Sequence, residues 1–133
     1  MKGIYALVIE VTKSVKIKVG ALGELSFTKG NYVYIGSAQN NVELRVKRHL
    51  RKEKKLFWHI DYLLAVPEAN VSQVYYVSGD KNKECQIANS IGQKAIPIKG
   101  FGCSDCNCNS HFFFIENTQL SIKNMERLEI PKI

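Results

Sequence analysis

The sequence predicts an α+β domain with a small mixed or antiparallel sheet flanked by helices. Strand-like runs follow one another in hairpin-like pairs, and the helical segments do not alternate strictly with them. The chain has 133 residues, of which 45% are apolar. Residues 1–133 therefore suit one compact domain that buries a core without disulfide or metal staples.

β-Branched and aromatic residues mark the predicted strands. In chain order these are GIYALVIEV (3–11), SVKIKV (14–19), ELSFT (24–28), YVYIG (32–36), VSQVYYVS (71–78) and HFFFIE (111–116). The turn sequence GALG joins the second run to the third, which indicates a hairpin, and Lys29-Gly30-Asn31 predicts a turn before the fourth.

A first helix is predicted after Asn40 or Asn41, whose side chains can accept the free N–H groups of its first turn. Val42, Val46 and Leu50 repeat every four residues and form its buried stripe. The same spacing puts basic side chains both on the flank between core and solvent and on the solvent face.

Three more helical segments follow. Residues 56–66, LFWHIDYLLAV, are apolar nearly all round and end before Pro67, which predicts a short buried helix. Asp80 caps a helix of about 12 residues that ends at Gly92. Residues 118–128 have a spacing that is compatible with an amphipathic helix.

Most of the net charge of +7 lies in one window. Residues 45–55, RVKRHLRKEKK, hold seven basic residues and one Glu, which makes +6. The window is either a solvated helix face or a phosphate-binding patch, because clustered Lys and Arg gain affinity by releasing the counterions of a polyanion. The second interpretation predicts nucleic acid, first of all DNA, as the partner of a basic helix over residues 42–55. The candidate contacts are Lys47, Arg48, Arg51, Lys52, Lys54 and Lys55.

Targeting signals are not evident in the sequence. It has no run of 18 uncharged apolar residues, and MKGIYALVIE lacks the basic-then-apolar layout of a signal peptide. We therefore expect a cytoplasmic protein without a membrane partner.

Several short motifs follow one another in a specific order. GIY at residues 3–5 opens one strand, YIG at residues 34–36 closes another, Arg45-x-x-x-His49 lies on the first helix, and Glu84 lies on a later helix. Each tripeptide alone is ordinary at a strand end, but the set in this order resembles the GIY-YIG endonuclease family. The segments WHIDYLL and GFGCSDCNCNSHFFF further resemble its uncharacterised, mainly archaeal branch, domain of unknown function 123.

The resemblance implies a GIY-YIG-like fold and metal-dependent hydrolysis of a nucleic-acid phosphodiester. Tyr5 or Tyr34 would take the proton of the attacking water, and Arg45 would bind phosphate and lower the pKa of the tyrosine. His49 would relay a proton or hold Tyr5. The alternative interpretations, which do not use the resemblance, are that Arg45 is a surface arginine and that His49 is a packed and hydrogen-bonded residue.

Glu84 is implied as the metal ligand. One carboxylate, together with waters and a substrate phosphate, suits Mg²⁺ or Mn²⁺. The alternative is an acidic residue that stabilises a helix N-terminus. The 28 residues between Tyr5 and Tyr34 exceed the short hairpin that is usual in the family, so residues 14–28 are predicted to form an added β-hairpin between the two tripeptide strands.

A further group of potential metal ligands lies within nine residues, at Cys103, Cys106, Cys108 and His111. Zn²⁺ prefers a tetrahedron of such ligands, but structural sites usually take them from two separate segments. Three interpretations stay open: a Zn²⁺ site, a disulfide or redox-sensitive pair, and a structured loop that borders the cleft with Asp105 and His111.

The leading hypothesis is a metal-dependent nuclease, for which Tyr5, Tyr34, Arg45 and Glu84 are expected to converge on one cleft. In WHID, His59 and Asp61 are predicted either to pair inside the core or to support the site from behind. The alternatives are a catalytically inactive nucleic-acid-binding module that uses the basic helix and a zinc-binding interaction domain centred on the Cys–His loop.

Overall fold

The computed structural model describes residues 2–102, 108, 110–115 and 125–128. Its strands are β1 (Gly3–Val11), β2 (Val15–Lys18), β3 (Glu24–Phe27), β4 (Gly30–Ala38), β5 (Ala69–Val77), β6 (Ile96–Pro97), β7 (Phe112–Ile115) and β8 (Glu126–Leu128). Its helices are α1 (Val42–Leu50), α2 (His59–Leu64) and α3 (Lys81–Gly92). Within the described residues, none of these helices has the length and apolar character that a membrane crossing requires.

Six strands form one antiparallel sheet in the order β6-β7-β4-β1-β5-β8. β1 and β4, the two strands that carry the tripeptides, are its central pair. β2 and β3 form a separate hairpin that precedes β4 in the chain. The predicted α+β class, the mostly antiparallel sheet and the added hairpin are confirmed.

The two faces of the sheet bury different parts of the tripeptides, because successive side chains of a strand point to opposite faces. The face that we call the tyrosine face carries Tyr5 and Tyr34 and packs against α1 and α2. The opposite face, which we call the isoleucine face, carries Ile4 and Ile35 and packs against α3. Each tripeptide thus contributes one residue to either side of the sheet.

The helix α1 begins as predicted and ends earlier. The side chain of Asn41 accepts the backbone N–H of Leu44, so Asn41 is the cap. The prediction of a basic helix over residues 42–55 is wrong beyond Leu50, where the helix ends. The helix ends there because Lys54, which follows it, donates from its ammonium group to two carbonyls of the last turn. These carbonyls then need no backbone N–H groups from a further helical turn.

Two other segments also differ from the prediction. α2 begins at His59 rather than at residue 56, because the Asp61 carboxylate accepts the backbone N–H groups of Phe57 and Trp58 and caps the helix there. In the predicted C-terminal helix, residues 126–128 form β8 and pair with β5. The remaining residues 118–124 lie outside the described part of the chain.

Candidate active site

A cleft of about 530 Å³ is lined by residues of β1, β4, α1, the first turn of α3 and the segment that leads into α2. Its lining residues are Tyr5, Tyr34, Gly36, Ser37, Gln39, Asn40, Arg45, Phe57, Trp58, His59, Lys81, Glu84 and Gly102. The lining includes both motif tyrosines, the arginine of α1 and the glutamate of α3, so four groups from distant parts of the sequence share one cavity.

Close contacts with neighbouring atoms explain why each tripeptide contains a glycine. Tyr5 lies directly opposite Gly36 in the pairing of β1 with β4, and a Cβ at Gly36 would overlap the phenol ring of Tyr5. A Cβ at Gly3 would overlap the carbonyl oxygen of Val77 and the ring of Tyr76 on β5. Gly36 in particular allows the Tyr5 ring to lie across β4 and reach the cleft.

Tyr5 and His49 form a buried, uncharged pair. Tyr5 Oη lies 2.8 Å from His49 Nε2, and His49 is 1% exposed. Burial, together with the nearby positive charge of Lys54, lowers the pKa of His49 to about 3. Burial also raises the pKa of Tyr5, and Arg45 opposes that rise by its charge and by a hydrogen bond. Both side chains are therefore neutral at pH 7.

Tyr34 shares this environment. Its ring centroid lies 6.4 Å from that of Tyr5 and 6.0 Å from that of His49. Burial raises the pKa of Tyr34 well above its usual value, and Tyr5 adds to the effect. His49 Nδ1 is buried and has no hydrogen-bond partner among the described residues, so one nitrogen of this ring is left unpaired in the core.

Arg45 is held on two sides. Its Nη1 donates to the Ser37 carbonyl at 3.1 Å, and its guanidinium carbon lies 4.4 Å from the centroid of the Trp58 ring. The Arg48 guanidinium contacts the same ring at 4.5 Å. Two cations on one indole are favourable because the π face carries partial negative charge. Trp58 thus fixes the approach of Arg45 to the cleft.

Behind the cleft, Arg48 forms a bidentate ion pair with Asp61. Its two terminal nitrogens donate to the two carboxylate oxygens at 2.9 and 3.0 Å. Burial by itself raises the pKa of Asp61, but the hydrogen bonds from Arg48 and from the backbone of Trp58 and Phe57 outweigh this and lower it. Asp61 therefore pairs with Arg48, accepts the backbone N–H of Trp58 and does not line the cleft.

The basic residues of the 45–55 window divide into two sets. In the inner basic set, each side chain donates to the protein itself; its members are Arg45, Arg48, Lys52 and Lys54. Lys52, for example, donates to the carbonyl oxygens of Val66 and Ala69. The outer basic set is exposed to solvent; its members are Lys47, Arg51 and Lys55.

Glu84 reaches the cleft from the first turn of α3, which Asp80 caps. Of the described residues that line the cleft, Glu84 is the one carboxylate. The side chain is buried, and its Oε2 lies 3.1 Å from His111 Nδ1. His59 also lines the cleft, where its Nδ1 accepts the backbone N–H of Gly102. His111 thus orients one carboxylate oxygen of Glu84.

The Cys–His loop is described only in part. Cys108 and His111 lie beside Cys85 of α3, with one ligand atom of each within 4.8 Å of the other two. Cys103, Asp105 and Cys106 lie outside the described residues, so the expected site within the loop stays a prediction. The three described residues are a group that is able to hold a metal ion.

A family model matches residues 4–130, nearly the whole chain. The chain belongs to the DUF123 family, a domain of unknown function. No curated protein and no solved structure matches the sequence. The matched range contains both tyrosines, Arg45, His49, Glu84 and His111, so the whole cleft lies within the DUF123 domain.

Sequence reasoning missed several residues of the DUF123 cleft. Phe57 is 72% exposed and lines the cleft, although its apolar neighbours had suggested a buried helix. Trp58 contacts two arginines. The sequence signal for this residue was its position directly before His-Ile-Asp, which contains two polar residues. Lys81 lies one turn before Glu84 and lines the same cavity.

Proposed function

We propose that this DUF123 domain is a metal-dependent nuclease of the GIY-YIG type, or a nuclease-like DNA-processing domain. The proposal includes the GIY-YIG relationship, the mainly archaeal branch and the cytoplasmic location that the sequence predicts. The observation that carries it is the shared cleft of Tyr5, Tyr34, Arg45 and Glu84. A base candidate, a phosphate ligand and a metal-binding carboxylate are the three groups that phosphodiester hydrolysis requires.

Tyr5 and His49 support a proton relay. In the proposed reaction, Tyr5 accepts a proton from the attacking water as its own phenolic proton passes to His49 Nε2, 2.8 Å away. This transfer requires the histidine tautomer that carries its proton on Nδ1. Arg45 favours proton loss from the phenol because its charge and its hydrogen bond partly offset the rise in the pKa of Tyr5 that burial causes. Tyr34, beside the pair, is the alternative base.

Arg45 is the proposed phosphate ligand. Its guanidinium is oriented by the Ser37 carbonyl and the Trp58 ring, and its remaining N–H groups suit the oxygens of a phosphodiester. Lys81 contributes a second positive side chain to the lining. Hydroxide attack on phosphorus breaks the bond to the 3′-oxygen, and the added negative charge of the transition state lies among these cations.

Glu84 fits a divalent ion of the hard type. It would hold Mg²⁺ or Mn²⁺ because one buried carboxylate at the edge of a polar cleft leaves the other ligand positions to water and phosphate. When bound, the ion supplies charge neutralisation at the phosphate and at the leaving oxygen. His111 orients the Glu84 side chain by its contact with Oε2, so the position of the other carboxylate oxygen of Glu84 is fixed as well.

Nicking of labelled DNA in Mg²⁺ or Mn²⁺ tests the proposal. We expect Arg45→Ala and Glu84→Ala to lose activity by about 100-fold or more, as is typical when a preorganised transition-state contact is removed. The matched controls are Arg51→Ala and Glu53→Ala, which remove exposed residues of the same types and should keep the nicking rate at saturating enzyme. Equal traces of nicking in all five proteins would indicate a contaminating nuclease and contradict the proposal.

The alternative is a catalytically inactive nucleic-acid-binding module. The outer basic set favours it, since three exposed cations follow one another along α1 and the segment after it. This module would bind DNA with a steep salt dependence, leave it intact in either metal, and be unaffected in affinity by Glu84→Ala. Cleavage that depends on Glu84 separates the two functions.

A further inference from the structure

Three metal-ligating side chains from two separate segments meet next to Glu84. Cys85 lies in the second turn of α3, whereas Cys108 and His111 precede β7. The Cys85 sulfur lies 3.9 Å from His111 Nε2. On one tetrahedral zinc ion, a thiolate sulfur and an imidazole nitrogen lie about 3.6 Å apart, given the usual bond lengths of each to zinc. The observed separation is close to this value.

The two-segment arrangement meets a requirement that the loop alone meets poorly. A continuous loop has to turn tightly around an ion, whereas structural zinc sites usually join ligands from two elements. Here α3 supplies the second element through Cys85. We propose that Cys85, Cys108 and His111 bind a borderline or soft metal ion, Zn²⁺ first of all, distinct from the ion proposed at Glu84.

The orientation of His111 suits this role. Its Nδ1 faces Glu84 Oε2 at 3.1 Å, while Nε2 is directed towards Cys85. Metal-bound histidines usually donate the N–H of their second nitrogen to a carboxylate or carbonyl, which fixes the tautomer and the plane of the ring. A histidine between a carboxylate and a cysteine sulfur therefore has the arrangement of a metal ligand with its supporting partner.

The backbone of His111 is also held in place before any ion binds. Its N–H donates to the Phe101 carbonyl, and its carbonyl accepts the N–H of Ile35 on β4, both at 2.9 Å. The neighbouring Ser110 hydroxyl donates to the Phe112 carbonyl and accepts the Phe112 N–H. This preorganisation limits the conformational entropy that metal binding has to overcome.

The proposed ion would tie α3 to the segment that precedes β7. Because His111 contacts Glu84, the tie would also fix the carboxylate in the cleft. Only this last consequence rests on the proposed nuclease function, since metal binding by the three residues does not require that the cleft hydrolyse anything.

Metal analysis of the purified full chain tests the site. The protein is loaded with Zn²⁺ under a thiol-free reductant, and free metal is removed by gel filtration. We expect about one zinc ion per chain, and after exchange with Co²⁺ a thiolate-to-cobalt charge-transfer absorption. Both signals should be lost in Cys85→Ser and Cys108→Ser, whereas Ser90→Ala, an exposed position on the same helix, should keep them.

Two results would overturn the site. Full zinc content in Cys85→Ser would assign the ion to the loop ligands alone, and a Cys85–Cys108 disulfide found by mass spectrometry in place of zinc would show redox chemistry instead. Should the cysteine variants not fold, alkylation of the wild-type protein decides: Cys85 should react with iodoacetamide only after a chelator removes the zinc, and equal labelling before and after would contradict the proposal. None of these readouts uses DNA cleavage, so the failure of this site and the failure of the nuclease proposal are distinguishable.

Discussion

The inner and outer basic sets come from one stretch of sequence and differ in their contacts, although Lys52 of the inner set is also exposed. Side chains of the inner set donate to carbonyls, to Asp61 or to both, and Arg45 and Arg48 also contact Trp58. Those of the outer set face solvent. A dense charge block therefore contains two kinds of residue, one whose side chains donate to the protein itself and one whose side chains face solvent.

The helical period explains part of this division. Arg45 and Arg48 lie one turn apart on the flank that faces α2, while Lys47 projects from the solvent side of α1. Beyond the end of α1 the period no longer applies, and Lys54 turns back onto the last turn of the helix. We expect the inner set to govern stability and chemistry, and the outer set to govern salt-dependent affinity.

The largest effect is expected when the inner set loses Arg48. Arg48→Ala leaves the fully buried Asp61 carboxylate without its cation, and removal of one partner of such a pair costs roughly 3 to 5 kcal/mol. Urea unfolding measures this loss. The matched control is Arg51→Ala in the outer set, which should change the free energy of unfolding by less than about 0.5 kcal/mol. Equal losses in the two variants would contradict the division.

A second effect is acid sensitivity at the centre of the inner set. The unfolded chain binds a proton at His49 near its usual pKa of about 6.5, whereas the folded chain binds it only near pH 3. Stability should therefore fall as the pH drops from about 6.5, by at most about 1.4 kcal/mol per pH unit from this group, which makes roughly 3 kcal/mol at pH 4. The charges that face His49 are those of Arg45, Arg48, Lys54 and Asp61.

His49→Gln isolates this contribution, because an amide side chain does not titrate but still hydrogen-bonds the Tyr5 hydroxyl. Urea midpoints of both proteins at pH 7 and pH 4 should show a smaller decrease in the variant. The same decrease in both would mean that other groups, such as Asp61 with its lowered pKa, account for the acid sensitivity.

The smallest effect is expected from the outer set. Replacement of Lys47, Arg51 and Lys55 together by alanine should leave the free energy of unfolding nearly unchanged, because these side chains are exposed. DNA affinity should fall about tenfold in moderate salt, and the slope of log affinity against log salt should decrease by about 2 to 3. An unchanged slope, measured by fluorescence anisotropy, would place the phosphate contacts elsewhere.

The elements of the fold were predictable where local pattern and tertiary structure agree. β-Branched and aromatic residues identified β1, and the Asn41 cap with Val42 and Val46 identified the start of α1. Glu126–Leu128 was wrongly predicted as helix because its strand conformation depends on pairing with β5, a partner that the local sequence does not reveal.

For the cleft, the motif order identified Tyr5, Tyr34, Arg45 and Glu84 as candidates, and the structure places these four along one cavity. Contacts between distant side chains were beyond sequence reasoning. The sharing of Trp58 by two arginines and the approach of Cys85 to His111 follow from tertiary packing and have no periodic signal. Their roles stay proposals.

We propose that Arg45 acts in the reaction, whereas Lys47, two residues along the same helix, contributes to the electrostatic attraction of DNA. Single-turnover nicking at saturating enzyme, with the dissociation constant measured on the same DNA, separates the two. We predict that Arg45→Ala lowers the nicking rate by about 100-fold or more and changes affinity by no more than about threefold. Lys47→Ala should keep the rate and weaken binding only. A normal nicking rate in Arg45→Ala would contradict the proposed role of Arg45 in the reaction.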